Sequence, residues 1–240
     1  MDFDAARLKI ISEQYNEGGG IGSLSEKLIH KILKYTVEPD DTFHEVEHNG
    51  SVADVKKDNS IFEIQTRSFE KLLPKLDKLL SDCSVTVVHP IAVKKQIYRV
   101  NRETGEISGP KKSPSPKTVY DSAYELFKLR RLIGAKGFSV KLFLLSVDEY
   151  KSTERKQRYG PSNLIERIPR SLEGVIDLVD KSDYSVFIPD GLPLVFTSAD
   201  YIKAARSRSR YCYYGARLLV ELGLAKRVES SGRAYLYTLT

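Results

Sequence analysis

The sequence predicts an α/β fold of the α+β kind: a sheet built around a short strand meander and flanked by helices, then a small helical unit ending in two strands. Three observations predict it. The apolar period switches from about 3.6 to 2 after the first third of the N-terminal half. Two tight-turn signals, Asn49-Gly50 and Asp58-Asn59, separate short alternating runs. From Phe196 onward the pattern changes again, to two helical runs followed by two alternating ones.

Taken in order, residues 1–15 read as a short helix or arm, broken by the glycine-rich NEGGGIG at 16–22. LSEKLIHKILKY follows with Leu24, Leu28, Ile32 and Leu33 at helical spacing and Ser23 as a cap. TFHEVEH, SVADVKK and SIFEIQT then form three consecutive strands. SFEKLLPKLDKLL is a helix whose start Pro74 shifts or kinks. SVTVVHPI is a short buried strand, KKQIYRV and ETGEIS a hairpin, and KKSPSPK a loop. TVYDSAYELFKLRRLIG is a helix closed by Gly134, and GFSVKLFLLSVDEY an apolar strand. A linker spans 151–168, and a helix is expected over 169–181. The predicted division is therefore residues 1–150, the linker, and a second domain at 169–240.

Composition narrows the class. The 240 residues are 41% hydrophobic and 29% charged, as in ordinary globular chains. No apolar run could span a bilayer and the N-terminus lacks a signal-peptide pattern, so a cytoplasmic protein with no membrane partner is expected. Two cysteines and four histidines offer neither a disulfide framework nor a zinc-motif spacing. The net charge is +6, and its placement is informative: residues 195–240 hold eight Lys/Arg against three acids. Residues 94–117 hold seven against two. Such patches suit a phosphate backbone.

The turns carry the strongest inference. If Asn49-Gly50 is a two-residue turn, His48 faces Ser51 and Glu45 faces Asp54. If Asp58-Asn59 is another, Lys57 faces Ser60 and Asp54 faces Glu63. Glu45, Asp54 and Glu63 then line one face, while Val46, Ala53, Ile64, Val55 and Phe62 line the other. Opposed like charges destabilise a sheet, so a hard divalent cation such as Mg²⁺ or Mn²⁺ is the expected compensator. Gln65 shares that face, and so does Lys56, two residues past Asp54.

At these residues the chain resembles the PD-(D/E)XK nuclease superfamily, over roughly residues 20–92. Asp54 matches the family's second-strand Asp, Glu63 and Gln65 its third-strand Glu-x-Lys, and Glu26 its helix acid. The resemblance implies a restriction-endonuclease-like core with a central mixed sheet between helices. It also implies metal ligation by Asp54, Glu63 and the Ile64 carbonyl, and phosphodiester hydrolysis. The departure is Gln65, which brings no charge where the family has lysine; Lys56 is the expected substitute.

The C-terminal pattern, FTSADYIKAARSRSRYCYYGARLLVELGLAKRVESSGRAYLYTL, resembles a winged helix-turn-helix module. Its second helix is expected from about Ser209 to Leu222. The resemblance places Arg206, Arg208 and Arg210 at the groove-facing end with Tyr211 and Tyr214, and Arg233 in the wing. Together the two likenesses imply a Mg²⁺- or Mn²⁺-dependent endonuclease acting on double-stranded DNA, with room for a homodimer. The alternatives are a catalytically inactive DNA-binding regulator on the same fold and an RNA- or structure-specific processing nuclease.

Overall fold

The computed structural model describes residues 2–16, 25–154, 163–207, 209, 211–231 and 234–240, with backbone alone at 14–16, 25–27 and 229–231. Two helices open the chain, α1 (Phe3–Asn16) and α2 (Ser25–Val37). Phe3, Ala6 and Ile10 of α1 and Leu28, Ile29, Ile32 and Leu33 of α2 are buried at helical spacing. They pack together on one face of the sheet, against Val55, Ile64, Val88, Phe143, Leu145 and Val147.

The sheet begins with the expected meander: β1 (His44–His48), β2 (Ser51–Lys57) and β3 (Ser60–Ile64), mutually antiparallel. A 3₁₀ turn at Phe69–Lys71 then leads into α3 (Leu73–Leu79), with Pro74 in its first turn, where a missing N–H removes no helical bond. Next come β4 (Ser84–Val100), β5 (Ile107–Lys112), α4 (Ala123–Lys128), β6 (Phe138–Ser152) and β7 (Leu164–Leu178). The order is β1-β2-β3-β4-β6-β7, with β5 hairpinned onto β4. The β3–β4 and β4–β6 pairs are parallel and the rest antiparallel, so the sheet is mixed and flanked by helices, as expected.

Four expectations change. The short strand and the following KKQIYRV run are one continuous strand, β4. Pro90 is tolerated because it falls just beyond the β3 pairing, which ends at Ile64–Val88. The helix expected through Gly134 is a 3₁₀ turn at Val119–Ser122, the short α4, and turns. The helix expected over 169–181 is strand β7, an edge strand where Pro169 and Gly174 break little ladder. Residues 164–168 are thus strand rather than linker, and the sheet runs to Leu178 instead of stopping near 150.

The C-terminal part holds a 3₁₀ helix at Lys181–Phe187, β8 (Val195–Phe196), α5 (Ser198–Ala204), α6 (Tyr214–Glu221), β9 (Ala225–Ser231) and β10 (Ala234–Leu239). The three strands form their own sheet in the order β8-β10-β9. Thr197 caps α5 reciprocally with Asp200. Tyr201, Ala216, Leu218 and Leu219 share one hydrophobic cluster with Leu76 of α3, Leu126 and Phe127 of α4 and Leu142 of β6. The core is therefore continuous across the predicted domain boundary.

Candidate functional site

The two turns bring the carboxylates together. Asn49 and Gly50 both have positive φ, 51° and 68°, the conformation of a two-residue hairpin turn. His48 pairs with Ser51, and beyond the Asp58 turn Lys57 pairs with Ser60, both in the expected registers. The β2–β3 ladder ends at Val55–Phe62, one step before Asp54 and Glu63. There the side chains take over the backbone's hydrogen bonds. Asp54 Oδ2 accepts from the Ile64 N–H at 2.7 Å. Glu63 Oε1 accepts from the Asp54 N–H at 3.4 Å. The strands open where the acids meet.

Helices on both sides supply partners for these acids. From α2, His30 Nε2 lies 3.2 Å from Asp54 Oδ2. One turn later on the same helix face, the largely buried Lys34 pairs with Glu45. From α3, Lys75 Nζ donates to Glu63 Oε2 at 2.5 Å. The carboxylates are thus met by protein cations, so the charge compensation expected from a metal alone is partly provided by the chain.

The two acids are driven apart electrostatically. Burial raises the Asp54 carboxyl, but the His30 ring and the Ile64 amide outweigh it and hold the group below the usual range. Burial first, and the Asp54 charge second, push Glu63 up to about 6, with Lys75 opposing them. Burial lowers the Lys34 ammonium although both acids support its charge. Adjacent carboxyls shifted in opposite directions are a pattern of sites that handle protons or cations. His30 and the Ile64 amide both contact Oδ2, and Asp54 Oδ1 has no partner among the described residues. Two carboxylates with free oxygen lone pairs form a hard donor set that fits Mg²⁺ or Mn²⁺.

The remaining expected residues divide. Glu45 has φ 52°, which breaks the β1 strand locally, and its exposed carboxylate joins the cluster only through Lys34. Gln65 turns away: its amide donates to the Arg67 carbonyl at 2.6 Å. Lys56 is engaged away from the acids: its ammonium donates to the Asp58 carbonyl of the turn at 3.0 Å. Glu26 lies one turn before His30 on α2, and its side chain is outside the described residues, as are Arg208, Arg210 and Arg233. Arg206 is exposed just past α5 with φ 48°. Tyr211 and Tyr214 are drawn into packing rather than presented to a groove. Tyr211 stacks on Tyr124 with centroids 4.5 Å apart, and Tyr214 meets Phe127 at 5.1 Å.

His30, Lys34 and Lys75 were not among the expected site residues. Their signal was present for the first two: polar residues four apart beside an apolar stripe share a helix face. Lys75 carries no such mark, since it is one of several lysines on its helix.

Past the C-terminal end of β3 a cavity of about 640 Å³ opens, walled by Arg67, His89, Lys95, Lys117 and Arg167, and by the acids Asp121 and Glu125. His89 Nδ1 contacts the Gln65 carbonyl at 2.7 Å, tying this wall to the strand that carries Glu63. Lys95 and Arg167 share one buried carboxylate, Glu149, at 3.9 and 2.7 Å. Four basic side chains thus meet Asp121, Glu125 and Glu149, an excess of one positive charge.

The chain belongs to the family described as a domain of unknown function, DUF8091, whose profile matches residues 27–179. That span takes in the large sheet and every residue of the carboxylate cluster, and ends just after β7. An "Uncharacterized protein" of Treponema pallidum (strain Nichols) is 28% identical over 220 residues, 90% of this chain and 86% of that protein. This likeness is longer than the family match. No solved structure matches significantly. Among the described residues no helix is long and apolar enough to cross a membrane.

Proposed function

We propose that the chain is a divalent-metal-dependent nuclease that hydrolyses phosphodiester bonds in DNA, as a member of the PD-(D/E)XK superfamily. The observation that carries this is the convergence of Asp54 and Glu63 where the β2–β3 ladder opens, with their acidities shifted in opposite directions. Asp54, Glu63 and the Ile64 carbonyl would hold Mg²⁺ or Mn²⁺. The ion, when bound, supplies an acidified water and charge neutralisation at phosphate oxygens.

The chain's own residues do the rest. His30 fixes the Asp54 carboxylate from one side, and Lys75 fixes Glu63 from the other. Lys75 is the cation we assign to the role left empty by Gln65, since it already touches the acid that Lys56 does not reach. The positively charged cavity wall supports nucleic acid as the phosphodiester: Lys95, Lys117 and Arg167 can receive the backbone.

For the C-terminal part, two helices followed by a strand pair, with strand order β8-β10-β9, support a winged-helix reading. The start of α6 is packed on α4, through Tyr211 on Tyr124 and Tyr214 against Phe127, which argues against groove insertion by that end. We assign DNA contact instead to Arg206 and to exposed Lys226 and Arg227 on β9.

A plasmid-nicking assay with Mg²⁺ and Mn²⁺, run beside single-stranded DNA and RNA, tests the proposal. Cleavage by the wild-type chain and its loss in Asp54→Ala are expected. A second reading, a nuclease-like fold that binds DNA without cutting, is favoured by one feature: Lys75 already neutralises Glu63. Salt-dependent DNA binding with no cleavage under either metal would select it.

A further inference from the structure

We propose a second metal site, for zinc, made by His48, Asp82 and Cys83. It is independent of the nuclease reading. Among the described residues these three form the one His/Cys/Asp/Glu group whose donor atoms all lie within 4.8 Å of one another. His48 Nε2 is 3.0 Å from Asp82 Oδ2 and 3.5 Å from Cys83 Sγ. Ligand atoms around a tetrahedral zinc ion sit roughly 3.3–3.7 Å apart, given bond lengths of about 2.0 Å to nitrogen and 2.3 Å to sulfur. The trio therefore needs only small side-chain adjustments to close on an ion.

The supporting contacts are those of a metal site's surroundings. Asn49 Nδ2 donates to both Asp82 oxygens, at 3.2 and 3.3 Å. These bonds fix the carboxylate's orientation, as partners outside the ligand set do in zinc proteins. The backbone is equally fixed. His48 is the last residue of β1, at the two-residue turn, and Cys83 is buried directly before β4.

The donor set selects the metal. Imidazole and thiolate favour a borderline-soft ion over Mg²⁺, so this site and the carboxylate cluster take different metals. Binding releases the Cys83 thiol proton: Zn²⁺ joins the sulfur as thiolate, the neutral His48 nitrogen and the Asp82 carboxylate, and a water fills the fourth position. The ion would tie the β1–β2 turn to the start of β4, bracing the hairpin that presents Asp54.

The test uses the full chain. After incubation with equimolar zinc and desalting, elemental analysis should find about one zinc per chain. Zinc at a hundredfold its Kd should raise Tm by roughly 5–10 °C. Cobalt substitution should give a sulfur-to-metal charge-transfer band that Cys83→Ser abolishes. Asp54→Ala should retain full zinc content, which separates this site from the proposed catalytic one. Because Cys83→Ser could unfold the chain, His48→Ala and Asp82→Asn provide surface-side controls that should each weaken zinc binding. No retained zinc in the wild type, a cobalt spectrum without a sulfur band, or unchanged binding in all three variants would overturn the proposal.

Discussion

Replacing Glu63 by Gln separates a strained functional cluster from a structural ion-pair network. Glu63 is 3% exposed, and burial with the Asp54 charge moves its carboxyl from 4.5 to about 6. At pH 7.5 the folded chain must ionise it at a penalty of about 2 kcal/mol relative to the unfolded chain. Glu63→Gln keeps the shape and removes the penalty. It also removes the partner of Lys75, but that ammonium is 23% exposed and also feels Asp54, so part of its stabilisation survives. A net gain of about 1 kcal/mol is expected, or roughly 2–4 °C in Tm for a chain of this size. The pH dependence has a definite sign. A raised carboxyl pKa means the folded state holds the proton longer, so this group's penalty is absent below pH 4.5. It grows through the interval up to about 6 and is complete above it. The stability gap between variant and wild type should therefore close on acidification through that window, followed by thermal unfolding at several pH values. Cleavage should vanish in the variant throughout. A loss of about 1 kcal/mol or more at pH 7.5, as when one partner of a buried pair is deleted, would refute the reasoning and make Glu63 a structural anchor for Lys75.

Other outcomes follow from the same geometry. Lys75→Met should lower kcat by about 10²–10³-fold in the nicking assay, as loss of a preorganised charge does, whereas Lys56→Ala should leave it unchanged. The affinity for Mg²⁺ should weaken as pH falls through about 6, because proton and ion compete for Glu63. Asp54 acts in the opposite sense on stability: its lowered pKa contributes stability above the ordinary carboxylate range that is lost on further acidification, which His30→Ala should diminish. Gly215→Ala should destabilise by at least about 2 kcal/mol in denaturant titration. A Cβ there would lie 2.0 Å from the Tyr201 hydroxyl, which is held by its bond to the Phe187 carbonyl at 2.6 Å. Substituting Lys95, Lys117 and Arg167 by Ala should reduce the salt slope of DNA binding by about one per lost phosphate contact.

The carboxylate pair was legible because hairpin registers follow from turn chemistry. Asn49-Gly50 and Asp58-Asn59 are local signals, and a period of two converts them directly into who faces whom. The cations were less legible because they come from helices, whose placement over the strands depends on tertiary packing. Lys75 in α3 and Lys56 in β2 look alike in sequence, and only the first reaches Glu63. β7 was misread because Pro169 and Gly174 interrupt its alternation, and an edge strand tolerates such interruptions. The His48, Asp82 and Cys83 group was invisible to motif spacing, since two of its members lie far along the chain from the first and meet it only in the folded chain.

The unbroken core beneath α4 and α6 has a consequence for how this protein can change. A unit joined to its neighbour by a tether can be exchanged, duplicated or dropped. Here Phe127, Leu126, Leu218 and Leu219 belong to one packed interior, so neither half can be grafted elsewhere without exposing grease on both. The tail is consequently held at a set offset from the acids, and drift in one half must be answered by the other.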